Sequence, residues 1–327
     1  MSIATRASLV LIGCCSIWAF SFPGMKALAQ LGQQAEPNAN SIFLSSLCIA
    51  IRFSVAASLL ALWLGGRVFR FTRKELEQGG GLGLFGGLGL VLQMDGMTYT
   101  LASTSAFLTQ GYAVLIPIWV GLTRRRFPGA DVIGACGLAV GGAGILGYRA
   151  SAEGGFQFGR GEVETLLGSA FFAAQILWLE RPHFAANDSL RATTLMFAVM
   201  ALACWVIVGG TAPAPRAILT VYSSPAALTL LGLLTGFCTL LTFPLANHWQ
   251  PKVPATQAGL LYCSEPVFTS LVTLFVPGII SRTTGVDYPN EVLTWNLMLG
   301  GGLILAANVW LQLRPPGPTP VPLPNAG

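Results

Sequence analysis

Charge is what this sequence has least of. Asp, Glu, Lys and Arg make up 9% of 327 residues, against 53% hydrophobic residues and a mean hydropathy of +0.66. A soluble domain carries roughly 25% charged residues, so this chain cannot cover a globular surface of ordinary polarity. Histidine is scarcer still: His183 and His248 stand far apart with no acids clustered beside them, which gives a metal site no support. Seven cysteines (Cys14, Cys15, Cys48, Cys136, Cys204, Cys238, Cys263) all fall in apolar stretches without a CxxC pair, and read as buried thiols. The sequence lacks a GxxxxGK[ST] motif for ATP. Gly79-Gly80-Gly81 and Gly86-Gly87 lack the strand–turn–helix setting of a dinucleotide fold. No cofactor is expected. The net charge of +5 is not a nucleic-acid footprint, because most of the Lys and Arg sit in short loops between apolar runs.

What the chain does have is length of apolar sequence. A membrane-spanning helix needs about 20 largely apolar residues to cross roughly 30 Å of hydrocarbon. That window gives ten candidates, at about 7–31, 42–64, 81–99, 103–122, 130–148, 163–180, 192–210, 225–247, 254–276 and 294–313. The fold class is therefore an all-α polytopic membrane protein of ten transmembrane helices. The 39 glycines suit helices that approach closely in lipid. Arg6, the following LVLIGCCSIWAF and Ala27-Leu28-Ala29 resemble a secretory signal with its cleavage site. The long apolar run and the nine spans after it favour an uncleaved first helix.

Basic residues in short loops set the orientation. With the N-terminus inside, Arg6, Arg67, Arg70, Arg73, Lys74, Arg124, Arg125, Arg126, Arg181, Arg191, Lys252 and Arg314 are cytoplasmic. Only Arg149, Arg160, Arg216 and Arg282 face outward, and both termini are cytoplasmic. The Pro-rich end, residues 314–327, cannot be helical and is expected to be a disordered cytoplasmic tail.

The two halves, 1–150 and 151–313, look alike. ASTSAFLTQGYAVLIPIW (102–119) and PKVPATQAGLLYCSEPVF (251–268) each place an alanine eleven residues before a proline, Ala106 to Pro117 and Ala255 to Pro266. Gly13 leads to Trp18 and Lys26, and Gly168 to Trp178 and Arg181, with each basic residue thirteen beyond its glycine. The fifth and tenth segments are both glycine-rich. Five helices per copy is an odd number, so the second copy enters the membrane from the opposite side. Such inverted repeats underlie many secondary transporters, with a site between the copies near the midplane. Chance likeness between two apolar, Gly-rich segments is the alternative.

With these features the chain resembles an EamA-like permease of the drug/metabolite transporter superfamily over residues 7–313. The likeness rests on the 5+5 helix plan, Ile17-Trp18, Arg52-Phe53, the Ala-to-Pro spacing and Ser264-Glu265-Pro266-Val267-Phe268. It implies an inner-membrane carrier, often an exporter of metabolites, amino acids or toxic compounds, with its cavity between the repeats. Members carry a glutamate just after the fourth helix, where this chain has Thr123-Arg124-Arg125-Arg126. The matching glutamate after the ninth is expected at Glu291, displaced by the insertion PGIISRTTGVDYPN.

Charges inside a membrane cost roughly 2.5–3.5 kcal/mol each on insertion scales and are functional candidates by default. Glu265 lies inside the ninth segment beside Pro266, which loosens the helix. A carboxyl at that depth can carry a proton, or can hold the bent helix through hydrogen bonds. Arg52, mid-way along the second segment, can bind an anionic substrate, pair with Glu265, or bond backbone carbonyls of a neighbouring helix. Gln93 and Asp95 lie near the outer end of the third segment, with Asp95 either lining the cavity or reached by interfacial water. Lys26 is placed to snorkel. Trp18, Gln110, Tyr112, Gln175, Trp178 and Tyr262 offer polar or aromatic surfaces for a mixed pocket, whereas Trp63, Trp119 and Trp249 suit an interfacial belt. Asn247 and His248 close the eighth segment at the cytoplasmic surface.

The reading is a secondary carrier of a small metabolite, amino acid or drug-like compound, working by alternating access with proton coupling. A lipid-processing membrane enzyme would need His, Asp or Glu clustered at one interface, and a scaffold would predict no repeat and a large soluble loop. Gly137, Gly141 and Gly142 can pack within one chain or between the chains of a homodimer.

Overall fold

The computed structural model describes residues 2–123, 129–149, 155–156, 159–253, 258 and 261–312. The Arg124–Arg126 cluster, Ala255 of the repeated spacing and the Pro-rich tail lie outside the described residues.

Helix lies over each of the ten apolar segments. The first is broken into α1 (Ile3–Trp18) and α2 (Ser21–Ala35). Pro23 lies at the start of α2, where its missing N–H and fixed φ suit a helix beginning but not a helix interior. The helices α3 (Ser41–Leu64) and α4 (Arg73–Tyr99) follow, the latter opened by a Thr72/Glu75 capping box. The expected fourth span is two helices, α5 (Ala102–Thr109) and α6 (Tyr112–Thr123), interrupted at Gln110-Gly111. Next come α7 (Ala130–Gly147), α8 (Arg160–Leu179), α9 (Ser189–Thr211) and the short α10 (Pro215–Thr220). The eighth segment runs from α11 (Pro225–Thr235) through a π-helical turn, Gly236–Leu241, into α12 (Thr242–Trp249). Beyond it lie α13 (Ser264–Thr273), α14 (Val276–Thr284) and α15 (Trp295–Gln312). What the sequence presents as an insertion after the ninth segment begins as helix: α14 continues α13 at a 49° bend, with Pro277 in its first turn.

Among the described residues, five helical stretches are long and apolar enough to cross a membrane: Ile3–Ala35, Ser41–Val68, Arg160–Leu179, Ser189–Thr211 and Pro225–Lys252. The bent pair α13–α14 would make six. Outward-facing Leu62, Val140, Leu202, Val206 and Leu219 remain largely exposed, as a surface bathed in lipid rather than water requires. The chain is a multi-pass membrane protein.

Inside, the core centres on Phe53, Phe197 and Phe243, whose rings meet edge-on at 5.3–5.9 Å. At two helix crossings the need for glycine is reciprocal. A Cβ on Gly161 (α8) would stand 2.6 Å from Gly96 O on α4, and one on Gly96 2.7 Å from Gly161 O. Gly142 and Gly300 clamp α7 to α15 in the same reciprocal way.

Candidate functional site

Buried carboxylates take two different roles here. Glu75, Glu162 and Glu291 serve helix starts. Glu75 accepts from Thr72 N and Asp188 N and pairs with Arg191 at 2.7 Å. Glu162 accepts from Gly159 N and from the Thr100 hydroxyl. Glu291, beyond the α14 excursion, accepts from Ala102 N at 2.8 Å and Ser103 N at 3.2 Å, satisfying donors that α5 leaves open. Glu265 is different. It lies in the first turn of α13, lines a cavity, and has no ion-pair partner among the described residues.

That cavity, of about 130 Å³, is enclosed by helices of both halves. The structure brings seven of the sequence-selected residues to its wall: Trp18, Arg52, Gln93 and Tyr112 from the first half, Gln175, Tyr262 and Glu265 from the second. Three others lie elsewhere. Gln110 is buried behind the wall, its amide nitrogen donating to Tyr262 O. Trp178 packs between Phe85 and Phe184, with the Arg181 guanidinium 3.8 Å from its ring centre. Asp95 is fully buried away from the cavity wall, with Arg160 Nη2 donating to it at 2.7 Å.

Arg52 binds backbone. It is 2% exposed, and its Nη2 donates to Cys238 O at 3.2 Å while Nε donates to Thr239 Oγ1. Both partners belong to the π-turn, where the i→i+4 ladder is interrupted and a carbonyl is free for a side chain. The Trp18 indole N–H donates to the same Cys238 O at 3.2 Å. The π-turn thereby ties the break after α1 to the middle of α3.

Sequence reasoning missed several wall residues: Phe172, Ile176, Phe243, Ala246, Asn247 and Gln250 among them. The signal was helical spacing. Phe172, Gln175, Ile176 and Leu179 form one i, i+3, i+4, i+7 face, and Phe243, Ala246, Asn247 and Gln250 form another. Each interrupts an otherwise apolar span with polar groups on a single side.

Toward one end the cavity shares Leu82, Leu179 and Asn247 with a wide vestibule of about 1020 Å³, edged by Gln78, Glu180, Arg181, Asp188, His248 and Lys252. Burial pushes the Glu180 carboxyl there above its usual range. The opposite end is tied together. Arg160 donates to Asp95 (2.7 Å), Glu164 (2.6 Å) and Tyr99 (2.9 Å), Ser41 meets the Tyr99 hydroxyl at 2.8 Å, and Lys26 donates to Thr100 O. These contacts join α2, α3, α4 and α8.

The chain is 26% identical over 268 residues to a protein of Archaeoglobus fulgidus described as an uncharacterized transporter, with 81% of this chain and 75% of that one covered. The likeness and the apolar helices support a membrane transporter in general. No family model matches the chain. A solved structure, described only as the crystal structure of a protein, superposes with a TM-score of 0.56 at 16% identity, covering 94% of this chain and 95% of the other. At that identity the likeness concerns the fold alone.

Proposed function

We propose that the protein is a secondary carrier of the EamA-like kind, moving a small organic compound by alternating access between two inverted five-helix halves. The observation that carries this reading is a polar and aromatic cavity walled by both halves, sharing wall residues with a vestibule at one end, while at the other end the Arg160 network bridges the helices. On α4 the vestibule residue Gln78, the cavity residues Leu82 to Gln93, and Asp95 of the closed end follow in order over 17 positions, about 25 Å of helix. A compound at the cavity therefore sits mid-way along the spans, where inverted-repeat carriers place their substrate.

Helix pairing supports the repeat. The second and seventh spans (α3, α9), the fifth and tenth (α7, α15) and the fourth and ninth (α5, α13) pack on each other. The third-on-sixth contact (α4, α8) has its counterpart in the first-on-eighth (α1, α12). A two-fold in the membrane plane generates this pattern. With both termini in the cytoplasm, the vestibule opens inward and the Arg160 network closes the outer side, an arrangement in which an exporter loads substrate.

The test is efflux from proteoliposomes loaded with a mixed metabolite extract, with and without an imposed pH gradient. Selective loss of some compounds, driven by the gradient, is the expected result. Loss no faster than from empty liposomes in either direction refutes the carrier.

A further inference from the structure

Three amide side chains on the cavity wall are each held in one orientation. The Gln93 amide nitrogen donates to Thr109 Oγ1 at 2.8 Å, and the Thr109 proton already goes to Ser105 O. The Gln175 nitrogen donates to Leu82 O at 3.2 Å, a partner that can only accept. The Asn247 nitrogen donates to Thr193 Oγ1 at 3.0 Å, and Thr193 has given its own proton to Ser189 O. Each amide is therefore fixed with its nitrogen in the protein, and none of the three oxygens has a hydrogen-bond partner among the described residues. Three of the wall's other polar side chains direct donors into the protein: the Trp18 indole to Cys238 O, the Tyr262 hydroxyl to Gln250 Oε1, and Arg52 Nε and Nη2 to the π-turn. Toward a ligand the wall offers three amide oxygens and the Glu265 carboxyl as acceptors, and the unpartnered Gln250 Nε2 as a donor. Beside them stand aromatic faces, with Trp18 5.4 Å from Phe243 and 6.2 Å from Tyr262 between ring centres.

We propose that the cavity takes a cationic organic amine, its ammonium set against Glu265 and the amide oxygens of Gln93, Gln175 and Asn247, and its hydrocarbon part on the Trp18 and Phe243 rings. This assignment rests on the carrier reading of the same cavity. An ammonium supplies N–H donors to these oxygens, a carboxylate meets it with a charge-assisted bond, and ring faces attract cations.

The test uses three probes on one phenylethyl skeleton: phenethylamine (cation), phenylalanine (zwitterion) and 3-phenylpropionate (anion). Their binding to the detergent-solubilised full chain is measured by titration calorimetry, and the same compounds are followed by counterflow in proteoliposomes against protein-free vesicles. Phenethylamine is expected to bind about tenfold more tightly than either other probe, and to lose about that factor in Glu265→Gln. Gln175→Leu is expected to weaken it several-fold. If phenylalanine or phenylpropionate binds as tightly as the amine to the wild-type protein, or the amine does not bind, the proposal is overturned. Counterflow separates the two claims. Amine that binds selectively but does not exchange upholds the site and refutes the carrier, whereas exchange of phenylalanine in preference to the amine upholds the carrier and refutes the amine.

Discussion

Arg52 and Glu265 are both charged groups placed among apolar helices, and their surroundings separate them. Arg52 is held by Cys238 O and Thr239 Oγ1, so its removal leaves a buried carbonyl and hydroxyl without that donor. Arg52→Met is expected to destabilise the protein by roughly 1–3 kcal/mol, seen as a lower unfolding temperature in detergent. Glu265 holds nothing comparable in place. Glu265→Gln is expected to leave the unfolding temperature almost unchanged while abolishing the response of transport to a pH gradient, measured in the same proteoliposomes. Equal response in variant and wild type would move the proton site elsewhere. At this scale the sequence was partly legible. A lone Glu or Arg in twenty apolar residues announces itself, because the cost of burying it is high. Asp95 announced itself too, but its partner Arg160 stands 65 positions away on another helix, and no local pattern pairs them.

Helices were legible as far as length and apolar content define them. Their interruptions were less so. The break before Pro23 and the bend before Pro277 follow from proline's missing N–H, yet a proline inside an apolar run fits a kink, a break or a helix start equally. The π-turn at Gly236–Leu241 has no compositional mark. Its Cys238 O accepts from Arg52 and Trp18, both distant in sequence. Glycine, by contrast, can be tested directly. Gly161→Val would drive side-chain carbon into Gly96 O, 2.6 Å from the first added atom, and is expected to prevent α4 and α8 from docking. Gly80→Ala, with nothing within 4 Å, is expected to be tolerated or slightly stabilising. Size-exclusion profiles of the two variants in detergent check both outcomes.

At the scale of the whole molecule, asymmetry between the two ends is the main feature. One end holds the vestibule of about 1020 Å³, and the other holds Arg160 bridging Asp95 and Glu164 across α4 and α8. Asp95 is fully buried, so Arg160→Ala leaves a carboxylate without its cation and weakens the contacts between α4 and α8 at that end, the outer one in the proposed orientation. That variant is expected to spend more time open to the outside, so that a cysteine placed at Gln93 reacts faster with a membrane-impermeant thiol reagent added externally. Unchanged labelling would remove Arg160 from the gate. The likeness between the halves is an expectation from sequence, whereas the network at one end joins Arg160 to Asp95 and Tyr99 on another helix, contacts that no sequence pattern announces.

The most direct test of the account locks that outer end. Ser41 and Arg160 lie within 3.4 Å through their side chains, and both can be replaced by cysteine after the seven natural cysteines are removed. Joined by a reducible bifunctional linker, the protein is assayed by substrate counterflow in proteoliposomes. Alternating access predicts that counterflow stops when the linker closes and returns on reduction. Counterflow that continues unchanged with the outer end linked would contradict it.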